Sequence, residues 1–391
     1  MSPEPARHCV PPTGCLMVRR LVTCAAAFLL VASSALGAPC GSTSPPDPAC
    51  DVAPTPADLD AVTIPATGEV LIVTDGLTVH RSTDGGRSFA TENPGLSGRW
   101  PSVVAGGSRL LLAAGFWGTT ESWIFFTRSD DGGVSFAPPL EVAFSSAVRL
   151  VDPELLLLDD GRLLLFFTEV DAARTVHLVE SLDDGASWQP VSIPVIGPAG
   201  IGIEDGKAIQ VPSGVVLFAY EYELVELGAS HLEVIASVDL GRSWGPPEVL
   251  WGDVDDADVE PGGFVWASPD ELWFVASTDE DTAGRTYTDA IVKRKASFDG
   301  GASWGSAATL VPVPDQIVFG VTDIGDGLIG LATVRNYTVG PRTAAFYRVP
   351  AERPGEVLCS DTLFVSRFEH GLPGGWGLVI GTVAAADPGT H

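Results

Sequence analysis

The chain has 391 residues, 50 of them acidic and 22 basic, for a formal net charge of −28. A field of that sign repels nucleic acid and anionic membrane surfaces, so neither is expected as a partner. No phosphate-binding loop, dinucleotide fingerprint, Ser-His-Asp arrangement or zinc-ligand spacing is present, and with 6 histidines in all, metal catalysis is not expected.

Near the N-terminus, Met17-Val18-Arg19-Arg20 leads into the apolar stretch 21–36 and the small residues Ala35-Leu36-Gly37-Ala38. Two arginines, a core too short to span a membrane as a mature helix and a small-residue cleavage site read as a secretory signal over 1–38, with Met17 as the start. Cleavage removes Arg7, Arg19, Arg20 and Glu4 and leaves 19 basic and 49 acidic residues, a net charge of −30. Export, to the periplasm or the extracellular space, permits disulfides. Cys40 with Cys50 is one pairing, and Cys50 with Cys359, tying the ends together, is the other. Residues 39–57, rich in proline, serine and threonine, read as a linker.

From 58 to 350 the chain reads as six strand-rich units. Their second strands, near 69–74, 109–114, 162–168, 214–220, 271–277 and 328–334, are continuous apolar runs. Such runs have both faces buried. Five units carry one eight-residue phrase: residues 82–89, 129–136, 181–188, 237–244 and 297–304. Each copy has Ser first, Asp third, Gly fifth, Ser seventh and an aromatic eighth, and the aspartates Asp84, Asp131, Asp183, Asp239 and Asp299 stand 47, 52, 56 and 60 residues apart. That period is one supersecondary unit repeated. A β-rich run precedes each copy, so the phrase reads as a hairpin turn. Its Asp accepts backbone N–H groups, its Gly supplies φ > 0, and its aromatic plugs the space beneath. These aspartates are therefore structural rather than catalytic.

The phrase S-x-D-x-G-x-[S/T]-[W/F] resembles the Asp-box, or BNR repeat, of the sialidase (neuraminidase) superfamily, over roughly residues 55–350. The resemblance implies an all-β, six-bladed β-propeller with five Asp-boxes, closed so that no sheet edge is left open. The sixth unit, 316–350, lacks a box and shows three strands; its fourth is expected either from the opposite terminus, near 52–59, or from the segment after Cys359. Residues 351–391 form a tail, and Leu363 to Gly371 with Trp376 resembles a short C-terminal motif of exported bacterial proteins. With the boxes on one face, a ligand site is expected on the other, among the loops 115–122, 169–174, 221–231, 278–289 and 335–342.

A sialidase uses three arginines to grip the substrate carboxylate, an Asp acid/base, and a Tyr nucleophile activated by Glu. On this sequence the resemblance places Arg99, in Arg99-Trp100-Pro101, as a first clamp residue, and Arg342 as the last. It places Asp152 as acid/base, with Arg149 close by, and Glu260 as the partner of a tyrosine. The second clamp position is Ser277, for which Arg285 is the substitute, and Tyr222 is taken as the nucleophile from among Tyr220, Tyr222, Tyr287 and Tyr337. Asp152 and Asp205 also read as turn-formers, and Arg149 and Arg342 as solvated or carboxylate-paired. No cofactor is expected. Asp253, Asp255, Asp256 and Asp258 offer hard oxygens for Ca²⁺ but lack the glycine-bearing spacing of a known loop and read as a solvated acidic loop. Two functions follow, with a monomer expected for both: an exo-glycosidase of exo-α-sialidase type acting on terminal sugars of glycoconjugates, or a propeller without catalysis that binds glycan or protein.

Overall fold

The computed structural model describes residues 50–351 except 55–56, 120, 171–173, 198–200, 225–228, 253–258 and 280–286. The signal segment, Cys40, Cys359, the tail, Arg285 and the acidic run 253–258 lie outside the described residues.

Strand β1 (Cys50–Pro54) comes first, followed by six sheets in sequence order. Blade one is β2 (Leu59–Thr63), β3 (Val70–Thr74), β4 (Thr78–Ser82) and β5 (Ala90–Glu92). Blade two is β6 (Arg99–Gly106), β7 (Arg109–Trp117), β8 (Ser122–Ser129) and β9 (Leu140–Ser145). Blade three is β10 (Arg149–Leu157), β11 (Leu163–Val170), β12 (Thr175–Ser181) and β13 (Gln189–Ile196). Blade four is β14 (Ile201–Gln210), β15 (Val216–Leu224), β16 (Ala229–Ser237) and β17 (Glu248–Trp251). Blade five is β18 (Val259–Ser268), β19 (Glu271–Thr278), β20 (Ile291–Ser297) and β21 (Ala308–Val311). Blade six contributes β22 (Gln316–Gly325), β23 (Leu328–Arg335) and β24 (Thr343–Pro350). Its fourth strand is β1, antiparallel to β24 with Cys50 opposite Phe346. Residues 50–54, at the end of the expected linker, thus supply the missing strand and close the ring from the N-terminal side.

The six first strands pack in cyclic order, β2 on β6, β6 on β10, and so on to β22, which returns to β2. The result is a six-bladed β-propeller. Six hydrophobic clusters fill the six blade junctions, one each. The second strands are the continuous apolar runs because a neighbour covers each face; every residue of β3 and of β19 is buried.

The five repeated turns share one hydrogen-bond pattern. In each, the first Ser hydroxyl donates to the Asp (2.6–2.8 Å) and accepts the N–H of the fifth-position Gly (2.7–2.8 Å). The seventh Ser donates its N–H (2.8–2.9 Å) and its hydroxyl (2.5–2.6 Å) to the same carboxylate. These donors hold all five aspartates below the usual carboxylate range. The glycine is needed twice over. Gly185 has φ +82, and a Cβ on it would lie 2.0 Å from the Phe126 ring of the preceding blade. The closing aromatics reach the same junctions, Phe89 against Phe346 and Trp188 against Phe126. The turns therefore lock each of blades one to five to the blade before it, at the end of the propeller away from the loops between second and third strands.

Candidate functional site

At the opposite end, three first strands carry the same irregularity. Their pairing slips between Arg99 and Ser102, between Val151 and Glu154, and between Glu204 and Lys207. At each slip one residue sits in the left-handed region: Trp100 (φ 51), Asp152 (φ 50) and Asp205 (φ 47). Such a bulge re-aims the side chains around it. Residues beyond or near the slip bind the next blade, because neighbouring first strands share no backbone ladder. Asp60 accepts the N–H of Val103 at 2.7 Å, Ser102 that of Leu155 at 2.8 Å, and Glu154 that of Ala208 at 3.0 Å. Ser277 accepts the N–H of Val318 at 2.8 Å, and Thr322 that of Thr63 at 2.9 Å.

These staples put carboxylates in the middle of the ring. Burial raises Asp60 and takes Glu154 up to about 7, while Lys207, standing among Glu154, Asp60, Asp58 and Asp205, opposes the shift in both. The same carboxylates raise Lys207 against its own desolvation, so it is the fixed positive charge of the channel.

Above this layer lies the mouth, formed by Asp58, Asp152, Asp205, Glu221 and Glu260. Burial is the main cause that lifts Asp58, Asp152 and Glu260 well above the carboxylate range, with Asp205 next for all three. Asp205 is raised by burial too, but Lys207, Glu260 and Arg174 pull it back. Glu260 and Asp205 share a hydrogen bond that favours the proton on Glu260 and the charge on Asp205. One oxygen each of Asp205, Glu221 and Glu260 lies within 4.8 Å of the others, the one such carboxylate group among the described residues close enough to hold a cation.

The loop 336–342 closes one side. Asp315 accepts the N–H (2.9 Å) and hydroxyl (2.8 Å) of Thr338, which fixes the loop. Arg342 donates Nε–H to the Tyr337 carbonyl at 3.0 Å, and its guanidinium lies 4.0 Å over the Tyr337 ring. Burial, then Glu260, raises the Tyr337 hydroxyl above its ordinary value, with Arg342 opposing. Across the mouth, Asp75 accepts the N–H of Trp100 at 3.2 Å, and both Arg99 and Arg342 act on its carboxylate. Arg99, Arg342, Asp152 and Glu260 are thus at the mouth, the first two near enough to Asp75 for their charge to oppose its rise.

Other expected residues are placed elsewhere. Glu221 faces Glu260, so Tyr222, next on the regular strand β15, faces the other side, where its ring lies 4.7 Å from that of His231. Glu260 acts on Tyr337, whereas the carboxylate that acts on Tyr222 is Glu233. Arg149 lies 4.5 Å over the Trp117 ring at the edge of blade two. Ser277 is a buried interblade staple. Sequence reasoning missed Asp58, Asp75, Glu154, Lys207 and Glu221 as site residues. The one signal was the recurrence of Trp-Pro-Ser, Asp-Pro-Glu and Asp-Gly-Lys near the starts of three successive units.

No protein-family model matches the chain, and no curated protein matches it. Solved structures do. A protein of unknown function from Dyadobacter fermentans superposes with a TM-score of 0.62 at 13% identity, covering 77% of this chain and 97% of that one. The leech intramolecular trans-sialidase, complexed with 2,7-anhydro-Neu5Ac, gives 0.59 at 13% identity over 77% and 68%. The Penicillium chrysogenum α-L-arabinanase complexed with arabinobiose gives 0.54 at 14% identity over 77% and 95%. The fold is that of the sialidase-like six-bladed propellers.

Proposed function

We propose that this chain is an exported exo-glycosidase that removes terminal neutral sugars, with Glu260 as general acid and Asp205 as the ionised carboxylate beside it. The observation that carries this reading is the Glu260–Asp205 hydrogen bond in a mouth crowded with carboxylates. A glutamic acid that burial raises well above the carboxylate range donates more readily to a leaving-group oxygen, and an adjacent carboxylate stabilises or captures the cationic sugar. Two neighbours of the same fold, named as acting on a sialoside and on an arabinan, support glycan as the ligand class.

Neutral sugar is favoured over sialic acid on charge and on Ser277. An anion clamp needs convergent guanidiniums free of other partners, whereas Arg342 is held on the Tyr337 carbonyl and ring and the Ser277 hydroxyl already binds blade six. Burial and then Glu260 raise the Tyr337 hydroxyl, and Glu260 is itself raised, which disfavours a tyrosine nucleophile activated by Glu260. Among the described residues no helix is long and apolar enough to cross a membrane.

The test is release of methylumbelliferone from a panel of neutral glycosides, α-L-arabinofuranoside included, beside the N-acetylneuraminic acid conjugate. Turnover of a neutral conjugate is expected, together with hydrolysis of the matching natural saccharide that Glu260→Gln abolishes. Turnover of the sialyl conjugate alone overturns the neutral-sugar reading, and saccharide binding without any turnover leaves a binding propeller.

A further inference from the structure

The tip of blade two carries aromatic rings that the mouth does not use. Phe116 on β7 pairs with Trp123 on β8, and Trp123 pairs with Phe144 on β9. Cross-strand partners share a sheet face. Their ring centroids are 5.1 and 5.6 Å apart at 50° and 41°, a continuous tilted strip across three strands. Phe116 is 43% exposed and Phe144 48%. Two such rings side by side in water, joined through a third, form a patch of the kind that marks a binding surface.

The strip lies on the sheet face that turns towards blade one. Phe125, two residues along the same face from Trp123, packs on the cluster at the junction of blades one and two, to which Val73 and Leu77 belong. A Cβ on Gly98 would lie 2.9 Å from the Phe125 ring, and the Gly98 carbonyl accepts the N–H of Gly76, which follows Asp75. The rings therefore begin beside the Asp75 turn and run outward along the face that bears the site.

We propose that Phe116, Trp123 and Phe144 form a platform for further residues of a neutral saccharide chain whose end occupies the mouth. This rests on the glycosidase reading above. A sugar ring presents an apolar face of C–H groups and keeps its hydroxyls at the edge, so it stacks on an exposed aromatic without losing hydration. A protein with a net charge of −28 selects against an anionic chain.

The experiment titrates full-length Glu260→Gln protein with neutral disaccharides and hexasaccharides of arabinose, galactose, xylose and glucose, following tryptophan emission. At least one hexasaccharide is expected to bind tighter than its disaccharide. Phe116→Ala/Phe144→Ala, which removes two exposed rings, is expected to weaken hexasaccharide binding by roughly tenfold or more, the scale of losing aromatic anchors. The single variant Phe144→Ala gives a smaller loss in the same direction, and Trp117→Ala, on the opposite sheet face, gives none. Equal affinity for both lengths, or a hexasaccharide affinity that survives the double variant, overturns the platform. Hexasaccharide affinity that changes only on deletion of residues 352–391 makes the tail the occupant and also overturns it. Length-dependent binding without turnover of any neutral conjugate keeps the platform and removes the glycosidase reading.

Discussion

Glu260 donates a hydrogen bond to the Asp205 carboxylate, and the two arrive from the first strands of adjacent blades, β18 and β14. Glu221 stands beside both and adds a third negative charge that holds the proton on Glu260. Replacing Glu221 with Gln removes that charge and lowers the Glu260 pKa. The alkaline limb of the kcat/KM profile is therefore expected to move to lower pH, with the value at the optimum changed far less. An unmoved limb would mean that Glu260 is not the titrating acid.

The closeness of the two carboxyls bears on stereochemistry. Inverting glycosidases keep their carboxyls about 6.5–9.5 Å apart to admit a water, and retaining ones about 5–5.5 Å. An oxygen of Glu260 and one of Asp205 lie within 4.8 Å of each other, short of the inverting spacing, so the first-formed product is expected to keep the anomeric configuration of the substrate. Proton NMR of the early reaction mixture reads this directly, and initial formation of the opposite anomer contradicts it.

The ring of buried carboxylates and the repeat turns respond to acid in opposite directions. Glu154 has a folded pKa of about 7 against about 4.3 for an unfolded glutamate, so its contribution is fully present below the unfolded value and is lost as pH rises through about 7. Asp58, Asp152 and Glu260 are raised too and act in the same sense. The repeat aspartates are depressed, and their contribution disappears as pH falls below about 4, the unfolded aspartate value. Thermal denaturation across pH is expected to show greatest stability in mildly acidic buffer, with losses towards both pH 8 and pH 3. A Tm that climbs steadily to pH 8 would contradict the buried-carboxylate account.

Two glycines with similar φ separate backbone strain from crowding. At Gly161 (φ +87) an added Cβ would have nothing within 4 Å, whereas at Gly185 (φ +82) it would stand 2.0 Å from Phe126. Gly161→Ala is expected to cost about 1 kcal/mol, the left-handed penalty alone. Gly185→Ala adds overpacking at a blade junction and is expected to cost about 3 kcal/mol or more. Equal losses in chemical denaturation would show that the repeat glycine serves conformation only.

The propeller was legible because its signals are local. Five turns repeat the same Ser, Asp, Gly, Ser and aromatic positions, and apolar runs such as Val70–Thr74 betray burial on both faces. The mouth was legible only where a bulge leaves a trace in one strand, as with Arg99-Trp100-Pro101 and Asp152-Pro153. Lys207, Asp75 and Glu221 come from different blades, and no spacing along the chain encodes their meeting. Tyr222 and Tyr337 were equivalent as sequence, since both border loops between second and third strands. Strand alternation beside Glu221 turns the first away, and Asp315 and Arg342 hold the second in place.

The most direct measurement of the central claim, that Glu260 is the acid of a neutral-sugar glycosidase, compares Glu260→Gln with the unaltered chain on two leaving groups. On a natural saccharide, whose departing alkoxide needs a proton, the variant is expected to lose activity by about a hundredfold to ten-thousandfold, the usual worth of a positioned acid. On the matching 2,4-dinitrophenyl glycoside, whose leaving group departs without a proton, most of that activity is expected to remain. Equal losses on both substrates, or none on either, would contradict the assignment.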